Sequence, residues 1–218
     1  MFEYLAGRTP GIIGNNSYKK YAVTIPLFEV DGQCHVLFEV RAKSLRRQPG
    51  EICFPGGKVE AGESYERAAL RELSEELQIP QESFERIAPG DVNISPAGQI
   101  VAPFLVLLKD YGFTWNPDEV DEVFAVPLQY FWDHAPACYY NEVYTKPADD
   151  FPLDKIPGGS RYPWHTGVSE VYFYEVSPNW IWTPGKRGSS GERVIWGLTA
   201  RIMKSAAELL KGEEGIKG

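Results

Sequence analysis

Two runs near the start of the chain, KYAVTIPLFEV (Lys20–Val30) and CHVLFEVR (Cys34–Arg41), are rich in β-branched and aromatic residues and are separated by Asp31-Gly32. That composition and that dipeptide predict two strands joined by a tight turn, placed at the edge of a sheet. A helical period follows. In SYERAALRELSEEL (Ser64–Leu77) the apolar positions Ala69, Leu70, Leu73 and Leu77 form one stripe, and Pro80 is expected to stop the helix. SFERIAPGDVNISP carries weaker strand signals, whereas QIVAPFLVLL (Gln99–Leu108) is a nearly continuous apolar run suited to a strand buried on both faces. A short helix is expected after Pro127.

From Asp133 to Gly167 the patterning is lost among Pro, Asp, Tyr and Trp, which predicts a long irregular insertion or lid. VSEVYFYEV (Val168–Val176) alternates as a strand does. The closing RVIWGLTARIMKSAAELLK reads as a helix that turns Ile195, Leu198, Ile202 and Leu209 to the core. Strands and helices in this order predict an α/β (α+β) sandwich, a sheet covered by helices.

Composition narrows the function classes. A chain of 218 residues with 43% hydrophobic residues can bury one core, so a single domain over 1–218 is expected, with the insertion at about 133–167. No apolar run approaches the ~20 residues of a membrane helix, and MFEYLAGRTPGIIG lacks the pattern of a secretory signal, so a cytoplasmic location is expected. The three cysteines, Cys34, Cys53 and Cys138, show no zinc-like spacing and are expected to be reduced and buried or half-buried. A net charge of −8 opposes capture of nucleic acid. A small anionic substrate remains compatible if metal ions or a local basic patch neutralise it, and the aromatic content leaves room for a homodimer.

The chemistry concentrates in the helix. Glu72, Glu75 and Glu76 stand at i, i+3 and i+4 on one face, beside the apolar stripe, with Ala68 leaving room one turn earlier. Like charges at this spacing repel, and the C-terminal end of a helix is the wrong end for them. On the helix alone, a solvated acidic face is the commoner reading. A cation would offset both penalties, and an all-oxygen set suits Mg²⁺ or Mn²⁺. Arg71 can pair with Glu75 one turn away, and the preceding Gly56-Gly57 allows close backbone approach to a ligand.

Gly57, Glu63, Arg71, Glu72, Leu73, Glu75, Glu76 and Ile79 resemble the Nudix box, G-x5-E-x7-R-E-U-x-E-E-x-G-U with U aliphatic, at every spacing. One position departs: Gln78 stands where the box has its last Gly, which usually ends the helix in a left-handed conformation. The resemblance implies a Nudix hydrolase with an α/β/α sandwich and a mixed sheet, cleaving a nucleoside diphosphate linked to another moiety. It implies Glu72, Glu75 and Glu76 as ligands of Mg²⁺ or Mn²⁺, joined by the Gly56 carbonyl. It also implies that Glu63 supports the site or a further metal and that Arg71 orients a glutamate.

Upstream, LFEVRAKSLRRQPGEICFPGG (Leu37–Gly57) resembles the second signature of the coenzyme A diphosphatase branch, L-L-T-x-R-(S/A)-x3-R-x3-G-x3-F-P-G-G. Arg41, Ala42, Arg46, Gly50, Phe54, Pro55, Gly56 and Gly57 match in register, while Phe38 and Glu39 occupy the last two places of L-L-T. EVFAVPL (Glu122–Leu128) and VIWGLTARIM (Val194–Met203) resemble later segments of that branch. Hydrolysis of coenzyme A or its acyl derivatives is the implied reaction, with Arg41, Arg46, Phe54 and Gly57 at the substrate. ADP-ribose or a dinucleotide as substrate, or a non-catalytic nucleotide-binding module, are the alternatives. The insertion's Tyr139, Tyr140, Tyr144, Tyr162 and Trp164, with Trp180 and Trp182 beyond it, are candidates for stacking on adenine or covering the pantetheine arm, and equally for a small core of their own or a dimer face. The general base stays open between a box glutamate and a loop acid such as Glu119, Asp121 or Glu122.

Overall fold

The computed structural model describes residues 6–8, 11–184, 186–187 and 191–212. The start of the chain, on which the expected lack of a leader rests, and the His165 side chain lie largely outside these residues. Strands β1 (Lys19–Val30) and β2 (Gln33–Arg41) form the expected hairpin. Its turn residues Asp31 and Gly32 both take positive φ, 51° and 77°, the mirror-image turn that matches strand twist. Two short strands follow, β3 (Ile52–Cys53) on β2 and β4 (Gly56–Lys58) on β1. Helix α1 (Tyr65–Leu77) leads to β5 (Phe84–Pro89), β6 (Asn93–Ser95), β7 (Gln99–Leu108) and β8 (Val120–Pro127). After α2 (Leu128–Asp133) come β9 (Ala137–Tyr144), β10 (His165–Val176), β11 (Trp182–Thr183), β12 (Lys186–Arg187), β13 (Arg193–Trp196) and α3 (Gly197–Leu210).

The main sheet runs β12-β11-β8-β2-β1-β7-β5. The β1/β7 pair is parallel and its neighbours are antiparallel, so the sheet is mixed as expected. The hairpin occupies the centre rather than an edge, because β7 and β8 return to pair with its two outer sides. Alternation along β2 then assigns the two faces. Val36 and Phe38 enter a core shared with α2, α3 and β10, while Leu37 enters a second core with Leu73 and Leu77 of α1. Phe38 is fully buried between Phe54 and Phe124, with ring centroids 4.9 and 5.6 Å away.

Helix α1 starts at Ser64, whose hydroxyl accepts from the Arg67 N–H, and ends before Pro80 is reached. Gln78 adopts the left-handed conformation, φ 52° and ψ 46°, and Ile79 N–H donates to the Ser74 carbonyl, so glutamine occupies the place that favours glycine. Two expectations at the other end change. Residues 193–196 are a strand, and α3 begins only at Gly197, so Ile195 is buried from β13 while Leu198 and Leu209 are exposed. Ala200, Ile202, Met203, Ala206 and Ala207 form the buried face instead.

The expected irregular insertion contains regular structure. β9, most of whose residues are exposed, pairs with β10, and with β13 they make a three-stranded sheet on the α3 side of the molecule. Residues 145–164 keep the irregular character, with two short 3-10 turns. Cys34 and Cys138 are exposed rather than buried, Cys53 is half-buried, and all three are unpaired.

Because an L-residue in the left-handed region carries a strain that glycine does not, Gln78→Gly is expected to stabilise the protein by about 1 kcal/mol. A urea titration followed by circular dichroism measures it; an unchanged or lower midpoint would show that the Gln78 side chain compensates.

Candidate active site

α1 lies across the sheet with Leu73 and Leu77 in the core, which turns its acidic face toward the loop between β3 and β4. The contact requires glycine. A Cβ on Gly57 would overlap the Glu72 carboxylate, and one on Gly56 would overlap the Ala22 carbonyl and Val23 on β1. The loop is fastened by its backbone: Thr24 N–H donates to the Pro55 carbonyl at 2.8 Å, and Gly56 N–H donates to Glu76 Oε2 at 2.7 Å.

Arg71 divides the carboxylates into two groups. Its Nε and Nη2 grip both oxygens of Glu63 at 3.1 and 3.2 Å, and Nη1 reaches Glu72 Oε1 at 2.9 Å and Glu75 Oε2 at 3.2 Å. Nη2 also donates to the Lys58 carbonyl at 3.3 Å. The expected Arg71–Glu75 pair is thus present as one arm of a wider clamp. The hydrogen bond from Arg71 lowers the pKa of Glu63, and Glu63 followed by Glu72 raises that of Arg71. Glu72 is raised by burial, an effect Arg71 opposes.

Glu76 belongs to the other group. It is 3% exposed, and burial followed by the charge of Glu39 raises its pKa well above the usual carboxylate range. Glu39, on β2, is fully buried; burial lifts it to about 7, against the lowering influence of Cys53 and Arg41. Its Oε1 accepts from Cys53 Sγ at 3.1 Å, while Oε2 has no hydrogen-bond partner among the described residues. In the sequence Glu39 stands out only as a departure from L-L-T. The available signal was a charged residue between Phe38 and Val40 in an apolar strand.

Among the described residues, no three His, Cys, Asp or Glu side chains are already gathered in ligand geometry, since Arg71 and the Gly56 amide hold the carboxylates. The donor set nevertheless fits a hard divalent cation: all oxygen, mutually repelling, and including a buried carboxylate oxygen with nothing bound to it.

The remaining candidates separate. Arg41 is half-buried at the end of β2, with its Nε unpartnered among the described residues, and Arg46 is exposed on the loop that follows. That loop is closed by Arg41 N–H to the Glu51 carbonyl at 2.9 Å and Gly50 N–H to the Arg41 carbonyl at 3.0 Å. Phe54, expected at the substrate, is 4% exposed and stacked on Phe38, because alternation through β3 turns it into the core. Of the loop acids, Glu122 is paired with Arg193 through both oxygens at 2.9 and 2.7 Å, and Asp121 lies 3.9 Å from Lys43. The charge of Glu119 is felt by Glu39, Glu72 and Glu76. Trp180 packs on the α3-side core and Trp182 against Phe28 and Phe113, so neither belongs to the insertion's exposed aromatic set.

The NUDIX domain model matches residues 18–140, more than half of the chain, and the chain belongs to the Nudix family. The peroxisomal coenzyme A diphosphatase NUDT7 of Mus musculus is 37% identical over 138 residues, 62% of this chain and 57% of that protein. The peroxisomal coenzyme A diphosphatase ndx-8 of Caenorhabditis elegans is 37% identical over 101 residues, 44% of this chain and 43% of that protein. An uncharacterized Nudix hydrolase, NudL, of Escherichia coli is 34% identical over 193 residues, covering 88% of this chain and 82% of that protein. The chain spans about half the length of the first two of these relatives. Among solved structures, a C. elegans Ap4A hydrolase binary complex aligns with TM-score 0.44 and 21% identity, over 51% of this chain and 81% of that one. The Nudix family generally uses divalent metal ions. No helix among the described residues is long and apolar enough to cross a membrane.

Two expectations follow from the site. Gly57→Ala is expected to lower kcat/KM about 100-fold or more with the circular dichroism spectrum retained, because a displaced Glu72 misplaces the groups around it. Wild-type activity in that variant would show that the Gly57–Glu72 contact is dispensable. Glu39, held at about 7, and Glu76, raised in the same direction, are protonated more readily in the fold than in the unfolded chain. Between about pH 4.5 and pH 7 the folded state therefore holds protons the unfolded chain has released, and stability falls as pH rises through that window. Urea midpoints of metal-free protein across this range are expected to decline, and less so in Glu39→Gln; equal slopes would place the ionisation elsewhere.

Proposed function

We propose that this chain hydrolyses the diphosphate of coenzyme A or an acyl derivative, adding water across the P–O–P bond to release 3′,5′-ADP and 4′-phosphopantetheine. The observation that carries this reading is the arginine loop. Residues 41–51 close on themselves through backbone hydrogen bonds and lie against the Glu119 loop, with Ala42 N–H donating to the Glu119 carbonyl at 2.9 Å. Arg41 acts on Glu39 through its charge and Arg46 is exposed on the same loop, in a chain of net charge −8 where forked donors are suited to phosphate oxygens. The signature matched by this loop, and the similarity to two proteins named as coenzyme A diphosphatases, support the same substrate.

Glu72, Glu75 and Glu76, with the Gly56 carbonyl, would hold Mg²⁺ or Mn²⁺. A metal bound there would polarise the phosphoryl oxygens and activate a water. Glu63 fixes Arg71 from outside, and Arg71 fixes the rotamers of Glu72 and Glu75. Glu119 is the loop acid best placed to take the proton of the attacking water, since Glu122 and Asp121 are paired elsewhere. The domain extends over 1–218 with the β9/β10 ribbon as its elaboration, and the unpaired cysteines suit a reducing compartment such as the cytoplasm. The ribbon's exposed Tyr139 and Tyr140 are compatible with a homodimer.

Incubation with Mn²⁺ and a panel of coenzyme A, dephospho-coenzyme A, ADP-ribose and NADH, read by mass spectrometry, tests the proposal. Coenzyme A is expected to be favoured, with Glu76→Gln about 100-fold slower and Arg46→Ala raising KM about 10-fold, on the order of one charge-assisted hydrogen bond. Cleavage of another member alone would overturn the substrate while keeping the reaction.

A further inference from the structure

Glu39 is not explained by the box or by the arginine loop. The signature this segment resembles has a neutral threonine at that place, where this chain has a carboxylate. β2 carries Leu37 into the core beneath α1, and Glu39, two residues on, points to the same face, where it is within electrostatic reach of Glu72 and Glu76 on that helix. Its charge is the foremost electrostatic influence on Glu76, ahead of Glu72 and Glu119. A glutamate serving only structure would have both oxygens satisfied, yet Oε2 is buried without a partner among the described residues, while Oε1 is steadied by Cys53 Sγ–H. Arg71 donates to Glu63, Glu72 and Glu75, so Glu39 and Glu76 form the half of the acid site without a guanidinium contact; Arg41 acts on Glu39 through its charge.

We propose that Glu39 is a further ligand of the divalent cation site, its Oε2 joining Glu76 from the sheet side so that the ion is held between β2 and α1. This rests on the metal reading of the box carboxylates. Two buried acids with no cation between them repel; an ion shared by both removes the repulsion and fills the vacant acceptor.

The test is Mn²⁺ binding to metal-stripped full-length protein, with free Mn²⁺ counted by electron paramagnetic resonance, for wild type, Glu39→Gln, Glu39→Thr and Glu76→Gln. Both Glu39 variants are expected to raise the Kd for Mn²⁺ about 10-fold or more. Their metal-free melting temperatures should match or exceed wild type, since a buried charge has been removed, and the rise in melting temperature on adding Mn²⁺ should shrink. Wild-type Kd in both variants, alongside lost binding in Glu76→Gln, would overturn the role of Glu39 and leave the box reading standing. No Mn²⁺ binding by wild type would overturn both. Failure of both Glu39 variants to fold would assign the residue to structure and overturn the proposal as well.

Discussion

Glu39, Glu72, Glu76 and Glu119 lie within one another's electrostatic field, and two of them are almost wholly buried. Bringing like charges together out of water is among the costliest arrangements a small domain can contain. The surrounding fold is organised to bear it. Arg71 is spread over Glu63, Glu72 and Glu75, the Gly56 amide is aimed at Glu76, and the Cys53 thiol is aimed at Glu39. Each is a partial compensation, and among the described residues Glu39 Oε2 is left without a hydrogen-bond partner.

The central position of the β1/β2 hairpin makes this possible. Pairing on both sides immobilises β1 and β2, so β3 and β4 can be laid on them as short strands and the glycine loop between becomes rigid. Phe54 braces that loop from the α3-side core through its stack on Phe38. On the opposite face, Leu73 and Leu77 fasten α1 to the sheet. Packing on both faces holds the acid groups at separations they would not choose in water.

The β9/β10 ribbon pairs with β13, and β13 and α3 are fastened to the main sheet by the Arg193–Glu122 pair and by the Thr199 hydroxyl donating to the Ile52 carbonyl at 3.1 Å. Both anchors reach strands that border the site, Glu122 on β8 and Ile52 on β3. The C-terminal third of the chain therefore supports the rim of the acid site as well as the core behind it.

Much of this was legible in the residues. The strand hairpin, the carboxylate helix with its arginine, the glycine loop and the left-handed cost at Gln78 are local: they follow from period, turn chemistry and spacing within one segment. Phe54 and Glu39 were not legible, and the reason is common to both. Whether a residue of a central strand faces ligand, core or another charge depends on which strands flank it, and β7, β8 and α1 arrive from distant parts of the sequence. The hairpin looked like an edge for the same reason, and the aromatic-rich segment looked irregular because β9 finds its partner only in β10, some twenty residues beyond its end. By itself the sequence determined which groups could do chemistry, since that depends on residue type and local spacing. Only the tertiary structure decided which of them are buried together, because burial and mutual repulsion are properties of packing between segments.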